Sequence, residues 1–355
     1  MLTICLILMA MVFRHCIIQL MPKQKIGKVG REKPNSSDRL LEIYSTMARS
    51  RLLDERVWQL NRQGRAALVA SSQGHEALQV ASVYALQKGK DLFYTYYRDL
   101  AVMVALGVTP REIMLGYMAK SGEPMSGARQ FPTQGAMPNL GLVNLSNVVA
   151  TQLPQAVGAA LACVQKGSDA VVAVYFGDGA SSTGDCHEAM NFASVHKLPV
   201  IFICENNGYA ISVPLEKQMA VKNVSVRGDS YNMPGFTIDG TNVVEVFKTV
   251  SDAANRARIG EGPTLIEGMV ERNLPHTGDD DDRRYRSEDE IVKAKEKNPV
   301  RILRELLKKD NILTNEVDLE INKAAKISID DATEYGESAS YPDPDEFYDH
   351  VYSQV

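Results

Sequence analysis

Hydrophobic positions along the chain change period several times, and each change predicts a different element. From Ser37 onward Leu40, Leu41, Tyr44, Met47, Leu52, Leu53, Val57 and Leu60 recur at helical spacing and stop at Gly64, which predicts one long amphipathic helix. The segment SSQGHEALQVASVYAL (71–86) reads as a loop feeding a second helix, and DLFYTYYRDLAVMVALG (91–107) as an aromatic-rich turn followed by an apolar helix. Residues 121–147, rich in Gly, Pro, Ser, Gln and Asn, show no period and predict a long loop of the kind usually tied to function. A small-residue helix then follows in ATQLPQAVGAALACVQKG (150–167).

Two runs are apolar on every residue: AVVAVYF (170–176), ending abruptly in Gly177-Asp178-Gly179, and PVIFIC (199–204), ending in Glu205-Asn206-Asn207-Gly208. A helix from about Asp185 to His196 separates them. Strands that are apolar on both faces belong to parallel sheets covered by helices on both sides, so this stretch reads as a βαβ unit. The helix Asn242–Arg258 and the strand 264–271 repeat the alternation, which predicts an α/β doubly wound fold with a mostly parallel sheet. Past Arg272 a charged loop leads to one helical segment, Glu288–Lys309, and an acidic tail. The expected organisation is a disordered leader over 1–36, an α/β domain over 37–310 and a tail over 311–355. Phe347, Tyr348, Val351 and Tyr352 are the apolar anchors by which that tail would dock on a partner.

Composition narrows the function. With 45% hydrophobic and 23% charged residues the chain is an ordinary globular protein, and a net charge of −5 offers no basic face for nucleic acid. Its five cysteines (Cys5, Cys16, Cys163, Cys186, Cys204) form no C-x-x-C pair, which fits free thiols in a reducing cytoplasm rather than a disulfide framework or a zinc knuckle. Met1–Met21 is apolar but interrupted by Arg14 and His15. Its unbroken part is too short for a bilayer that needs about 20 residues, and no Ala-x-Ala-like cleavage site follows. An unstructured or mis-assigned leader is expected there, with membrane targeting as the alternative.

The chemistry concentrates where the two apolar runs stop. In open parallel sheets ligands bind beyond the carboxyl ends of strands, so Asp178 and Asn207 should face each other across one crossover. Glycines beside Asp178 would let backbone amides approach an anion, and the next helix would add its positive N-terminus. A magnesium ion on a diphosphate needs only one or two protein carboxylates, so one Asp, one Asn amide oxygen and a backbone carbonyl would suffice. Either tripeptide alone is more simply a tight turn. Competing phosphate motifs are missing, since no G-x-x-x-x-G-K-[ST] exists and Gly177, Gly179 and Gly184 do not make G-x-G-x-x-G.

The span GDGASSTGDCHEAMNFASVHKLPVIFICENN (177–207) closely resembles the thiamine diphosphate motif. Together with YYRDLAV, SGARQFP, TQLPQAVGAAL, NGYAISVP, EGPTLIE and PHTGDDDDRRYR, the chain resembles the α subunit of the decarboxylating first component of a 2-oxo acid dehydrogenase complex over residues 37–355. The resemblance implies thiamine diphosphate and Mg2+ as cofactors, with Asp178, Asn207 and the carbonyl of Tyr209 as metal ligands. It assigns Tyr97, Arg98, Ser146, Val149, Gly177, Gly179 and Ala180 to cofactor binding, and His276 to the cofactor's reactive ring and acyl transfer. Ser146, Thr151 and Gln152 match a K+ site of some relatives, with Val148 replacing a common proline, and Thr277 stands where animal relatives carry a regulatory phosphoserine. Implied partners are a β subunit, in an α2β2 heterotetramer, and a lipoyl-bearing acyltransferase that accepts the acyl group. The tail and the helix Ala156–Ala162 are the expected subunit contacts. SGARQFPTQG and PHTGDDDDRRYR resemble the branched-chain members more than the pyruvate ones. A pyruvate or acetoin dehydrogenase subunit, and a catalytically silent paralogue that keeps the fold, are the alternatives.

Overall fold

The computed structural model describes residues 37–144 and 146–349, so the leader and the last two aromatic-tail anchors, Val351 and Tyr352, lie outside the described residues. The first periodic stretch forms α1 (Ser37–Arg62), and its buried stripe of Leu40, Ile43, Met47, Leu53, Val57 and Leu60 faces the core. The loop 71–75 feeds α2 (Glu76–Ala85), which is buried along almost its whole length. The aromatic stretch contains a strand, β1 (Leu92–Tyr94), before α3 (Leu100–Leu106). Three residues are too few for an alternating pattern to register, which is why the stretch reads as a turn. α4 (Pro110–Tyr117) starts at a capping box, Thr109 with Glu112, of a kind typically worth about 1 kcal/mol.

The aperiodic stretch 121–147 also holds strands, β2 (Gly135–Met137) and β3 (Leu142–Asn144). Glu123 organises its first turn by accepting hydrogen bonds from the backbone N–H groups of Met125, Ser126 and Ala128. Then come α5 (Gln152–Gln165), β4 (Val172–Gly177), α6 (Gly184–Val195) and β5 (Val200–Asn206), followed by the small hairpin β6 (Tyr209–Ala210) and β7 (Val213–Pro214) and the single turn α7 (Leu215–Gln218). The chain continues through β8 (Gly235–Asp239), α8 (Val243–Arg258) and β9 (Thr264–Met269).

Seven strands form one sheet in the order β2-β3-β1-β4-β5-β9-β8, parallel throughout except for the β2–β3 pair. Successive residues of β4 alternate between two cores. Ala173 and Tyr175 pack with α1, α2, α3 and α8, whereas Val172, Val174 and Phe176 pack with α5 and α6. Burial on both faces removes any polar alternation, so the doubly wound α/β reading holds.

The charged end of the chain differs from the simple pattern. Instead of one helix over Glu288–Lys309 there are two, α9 (Glu288–Glu296) and α10 (Pro299–Lys309). Pro299 cannot continue a helix from the preceding turn, and Asn298 caps the new one through the N–H groups of Val300 and Arg301. Nor is 311–338 a tail, because α11 (Asn315–Ser338) packs on α1 and α4. Tyr44 donates to Asp318 at 2.6 Å, and Arg56 reaches Asp330 at 2.5 Å. Among the described residues no helix is long and apolar enough to cross a membrane.

Candidate cofactor site

The sheet reverses its winding between β1 and β4: from β1 the chain runs outward to β3, then returns across it to β4. Such a switch point leaves a crevice at the strand ends. A cavity of about 490 Å³ opens there, walled by Tyr97 and Arg98 after β1, Asp178 after β4, Asn207 after β5 and His276 after β9.

Asp178 is almost fully buried at the first residue past β4. Burial pushes its carboxyl above the ordinary range, and the Gln218 side chain and the backbone N–H of Asn207 only partly offset this. Gln218 Nε2 donates to it at 2.8 Å. The hydrogen-bond donors to this buried carboxylate are neutral and only the charge of Arg272 acts on it from further off, so its oxygens suit a divalent ion. Gly179 is required beside it, because a Cβ there would lie 2.7 Å from the Cβ of Ala210.

The two asparagines at the end of β5 divide their roles. Asn206 is buried and donates to Glu267 at 2.6 Å, while Asn207 turns to the cavity with its Oδ1 accepting from Tyr209 N–H at 3.2 Å. Tyr209 itself lines the cavity, with its hydroxyl on Glu290 at 2.9 Å. Among the described residues no three His, Cys, Asp or Glu side chains cluster as a metal cage. One carboxylate and one amide oxygen therefore suit a cation that brings other ligands with it.

Arg98 supplies the complementary charge. It is 2% exposed, yet its partners are all neutral: Ser71 O at 2.7 Å, His276 Nδ1 at 3.1 Å and His276 O at 3.2 Å. A buried guanidinium without a carboxylate is a ready anion site. Tyr97 stands edge-on to the His276 ring at 5.8 Å. Burial, then the charges of Arg98 and Arg272, push His276 down to about 4, so the ring is neutral.

Behind this wall lies a buried network that the residue pattern does not single out. His75 Nδ1 donates to Glu205 at 2.6 Å, and Gln79 and Tyr96 donate to the same carboxylate at 2.9 and 3.0 Å. Burial opposes ionisation of Glu205, but the hydrogen bond and the electrostatic attraction of His75, followed by the bonds from Asp99 and Gln79, outweigh it and hold Glu205 below the ordinary range. Asp99 is pushed well above that range by burial and then by the Glu205 charge. Asp54 forms a second support, accepting from Ser71 Oγ at 2.6 Å, Ser72 N at 2.7 Å and Gln73 Nε2 at 3.0 Å.

The structure brings Tyr97, Arg98, Ser146, Val149, Gly177, Asp178, Gly179, Ala180, Asn207, Tyr209 and His276 onto one cavity, with Gln152 and Thr277. Thr151 is not in its wall, since its hydroxyl donates to Val148 O at 2.9 Å. The α6 N-terminus is not in the wall either. The turn Asp178–Ser182 intervenes, the wall ends at Ala180, and Thr183 caps the helix through Cys186 N–H. The pattern also missed Arg272, which sits past β9 and donates to Ile211 O at 2.8 Å, and Gln218, which has no motif at all.

A doubly wound sheet that presents an acid, an amide and a buried guanidinium to one cavity at its switch point defines an α/β enzyme of the thiamine diphosphate-binding fold. Residues 44–345 match the family model described as dehydrogenase E1 component, and the chain belongs to that family. It is 43% identical to the 2-oxoisovalerate dehydrogenase subunit alpha of Bacillus subtilis (strain 168) over 314 residues, 88% of this chain and 95% of that one. It is 33% identical to the 3-methyl-2-oxobutanoate dehydrogenase subunit alpha of Mycobacterium tuberculosis (strain CDC 1551 / Oshkosh) over 347 residues, 95% of this chain and 91% of that one. The pyruvate dehydrogenase E1 component subunit alpha of Staphylococcus aureus (strain Mu50 / ATCC 700699) is 36% identical over 298 residues, 83% of this chain and 77% of that one.

Proposed function

We propose that this chain is the α subunit of a branched-chain 2-oxo acid dehydrogenase, acting in a reducing cytoplasm with a β subunit and a lipoyl-bearing acyltransferase. The observation that carries the reading is that Asp178 and Asn207 face one cavity opposite the buried Arg98. Asp178, Asn207 and the Tyr209 carbonyl would hold Mg2+, Arg98 and Tyr97 would hold the diphosphate, and Val149, Gly177, Gly179 and Ala180 would pack around it. When bound, thiamine diphosphate supplies the nucleophilic carbon and electron sink that let carbon dioxide leave. His276, kept neutral with Nδ1 accepting from Arg98, has Nε2–H left over and is suited to donate a hydrogen bond to the reacting group.

The greater identity to a 2-oxoisovalerate dehydrogenase subunit supports branched-chain substrates, and Leu68, Ala70, Phe131 and Ile211 give the cavity an apolar side that suits an aliphatic side chain. Ser146 and Thr151, which close on the N–H and carbonyl of Val148, are proposed with Gln152 as K+ ligands. The small-residue stretch Ala156–Ala162 of α5, where Gly158 is exposed, and the aromatic tail with exposed Phe347 and Tyr348 are the proposed β-subunit contacts. The test is reconstitution with the β partner, thiamine diphosphate and Mg2+. Decarboxylation of 3-methyl-2-oxobutanoate should exceed that of pyruvate, and no turnover of any 2-oxo acid would overturn the reading.

A further inference from the structure

His75 is fully buried at the end of the loop that enters α2, and its two ring nitrogens face different partners. Nδ1 lies 2.6 Å from Glu205 Oε2, and Nε2 lies 3.4 Å from Asn207 Nδ2. The direction of each bond follows from a proton whose position is certain. The backbone N–H of Tyr209 points at the Asn207 oxygen at 3.2 Å, so the other end of that amide, its NH2, is the end turned to His75. An NH2 group has only hydrogens to offer here. Nε2 is therefore the acceptor, and the ring proton sits on Nδ1, where the Glu205 carboxylate takes it.

Resting on the reading of Asp178 and Asn207 as cation ligands, we propose that His75 is a positioning residue: Glu205 sets its tautomer, and its Nε2 locks the Asn207 amide with the oxygen end toward the cation. A terminal amide has a broad, nearly two-fold torsion, and the flipped form would present an NH2 to the metal. Metal sites commonly control this through a second layer of hydrogen bonds. Here the layer ends on a carboxylate that cannot swing, because Gln79 and Tyr96 grip the same oxygen. Tyr96 precedes Tyr97 and Arg98, so one cluster ties the cation ligand to the arm proposed to hold the anion.

The test uses the assembled complex of this chain with its β partner. Mg2+ is titrated calorimetrically in the presence of thiamine diphosphate for wild type, His75→Phe and His75→Gln, and metal-free thermal unfolding checks the fold. His75→Phe is expected to weaken Mg2+ binding about tenfold or more, as outer-shell losses do. His75→Gln, which keeps a donor and an acceptor on one side chain, should recover most of it. In wild-type complex carrying 15N-histidine, nitrogen NMR should show an unprotonated His75 Nε2, identified by the signal that His75→Gln removes. A protonated Nε2, unchanged affinity in His75→Phe, or equal losses in both variants would each overturn the proposal. Absence of any magnesium-dependent cofactor binding by the wild type would instead strike the cation-ligand reading, and the nitrogen spectrum would still judge the His75–Asn207 arrangement.

Discussion

Arg98 Nη2 lies 3.1 Å from Nδ1 of His276 and 3.2 Å from the carbonyl oxygen of the same residue, so one guanidinium fixes both the ring and the backbone of the loop histidine. Because a guanidinium only donates, Nδ1 is an acceptor and the ring proton is on Nε2.

That arrangement sets the pH response of the cofactor-free chain. His276 is depressed from 6.5 to about 4, first by burial and then by Arg98 and Arg272. An NMR titration should find its ring unprotonated between about pH 5.5 and 8, and Arg98→Met should move its titration upward. The unfolded chain takes the proton more readily than the folded one. This histidine therefore makes the fold less stable as pH falls from 6.5 toward 4, measurable as a falling urea midpoint.

Asp178→Asn should separate binding from folding. The substitution removes a buried carboxylate that has only neutral donors, so the melting temperature of the cofactor-free chain should hold or rise. In the assembled complex, calorimetry should show magnesium-dependent cofactor binding weakened beyond the roughly 10–100-fold typical of outer-shell changes.

Gly74→Ala should damage the loop that carries His75. Gly74 has φ +101°, and a Cβ there would sit 1.9 Å from the backbone oxygen of Glu271. Both faults are in backbone, so neither relaxes by a rotamer change. A loss of about 3 kcal/mol or more is expected from urea unfolding at an unchanged slope.

Asp54→Ala should act at a distance on Arg98. Removing the carboxylate frees Ser71, Ser72 and Gln73, and Ser71 is the residue whose carbonyl takes Arg98. The buried donors left behind predict a stability loss of about 2–5 kcal/mol. Diphosphate binding by the assembled complex should also weaken.

What the sequence revealed depended on how local the signal was. Strands β4 and β5 were legible because both their faces are buried, which leaves an uninterrupted apolar run, and each leads into a short polar turn that holds Asp178 or Asn207. Strands β1, β2 and β3 were not, since three residues carry no usable period. Asp178 and Asn207 could be paired from spacing, and resemblance added Arg98 and His276. His75, Glu205 and Asp54 could not be found in that way. Their roles come from contacts between residues 17 to 132 positions apart, and a buried histidine or aspartate looks in sequence like any other. The break at Pro299 was present in the residues, but the charged helical pattern on either side masked it.

The strand order also constrains how the molecule is made. The cavity needs the ends of β1, β4 and β5 and the loop after β9, and β9 slots beside β5 only after nearly three-quarters of the chain has been synthesised. A nascent polypeptide on the ribosome therefore exposes one edge of β5 until residues 264–269 emerge, and Arg98 waits for His276 longer still. Cofactor capture has to come late in biogenesis, after β9 has inserted between β5 and the earlier-made edge strand β8.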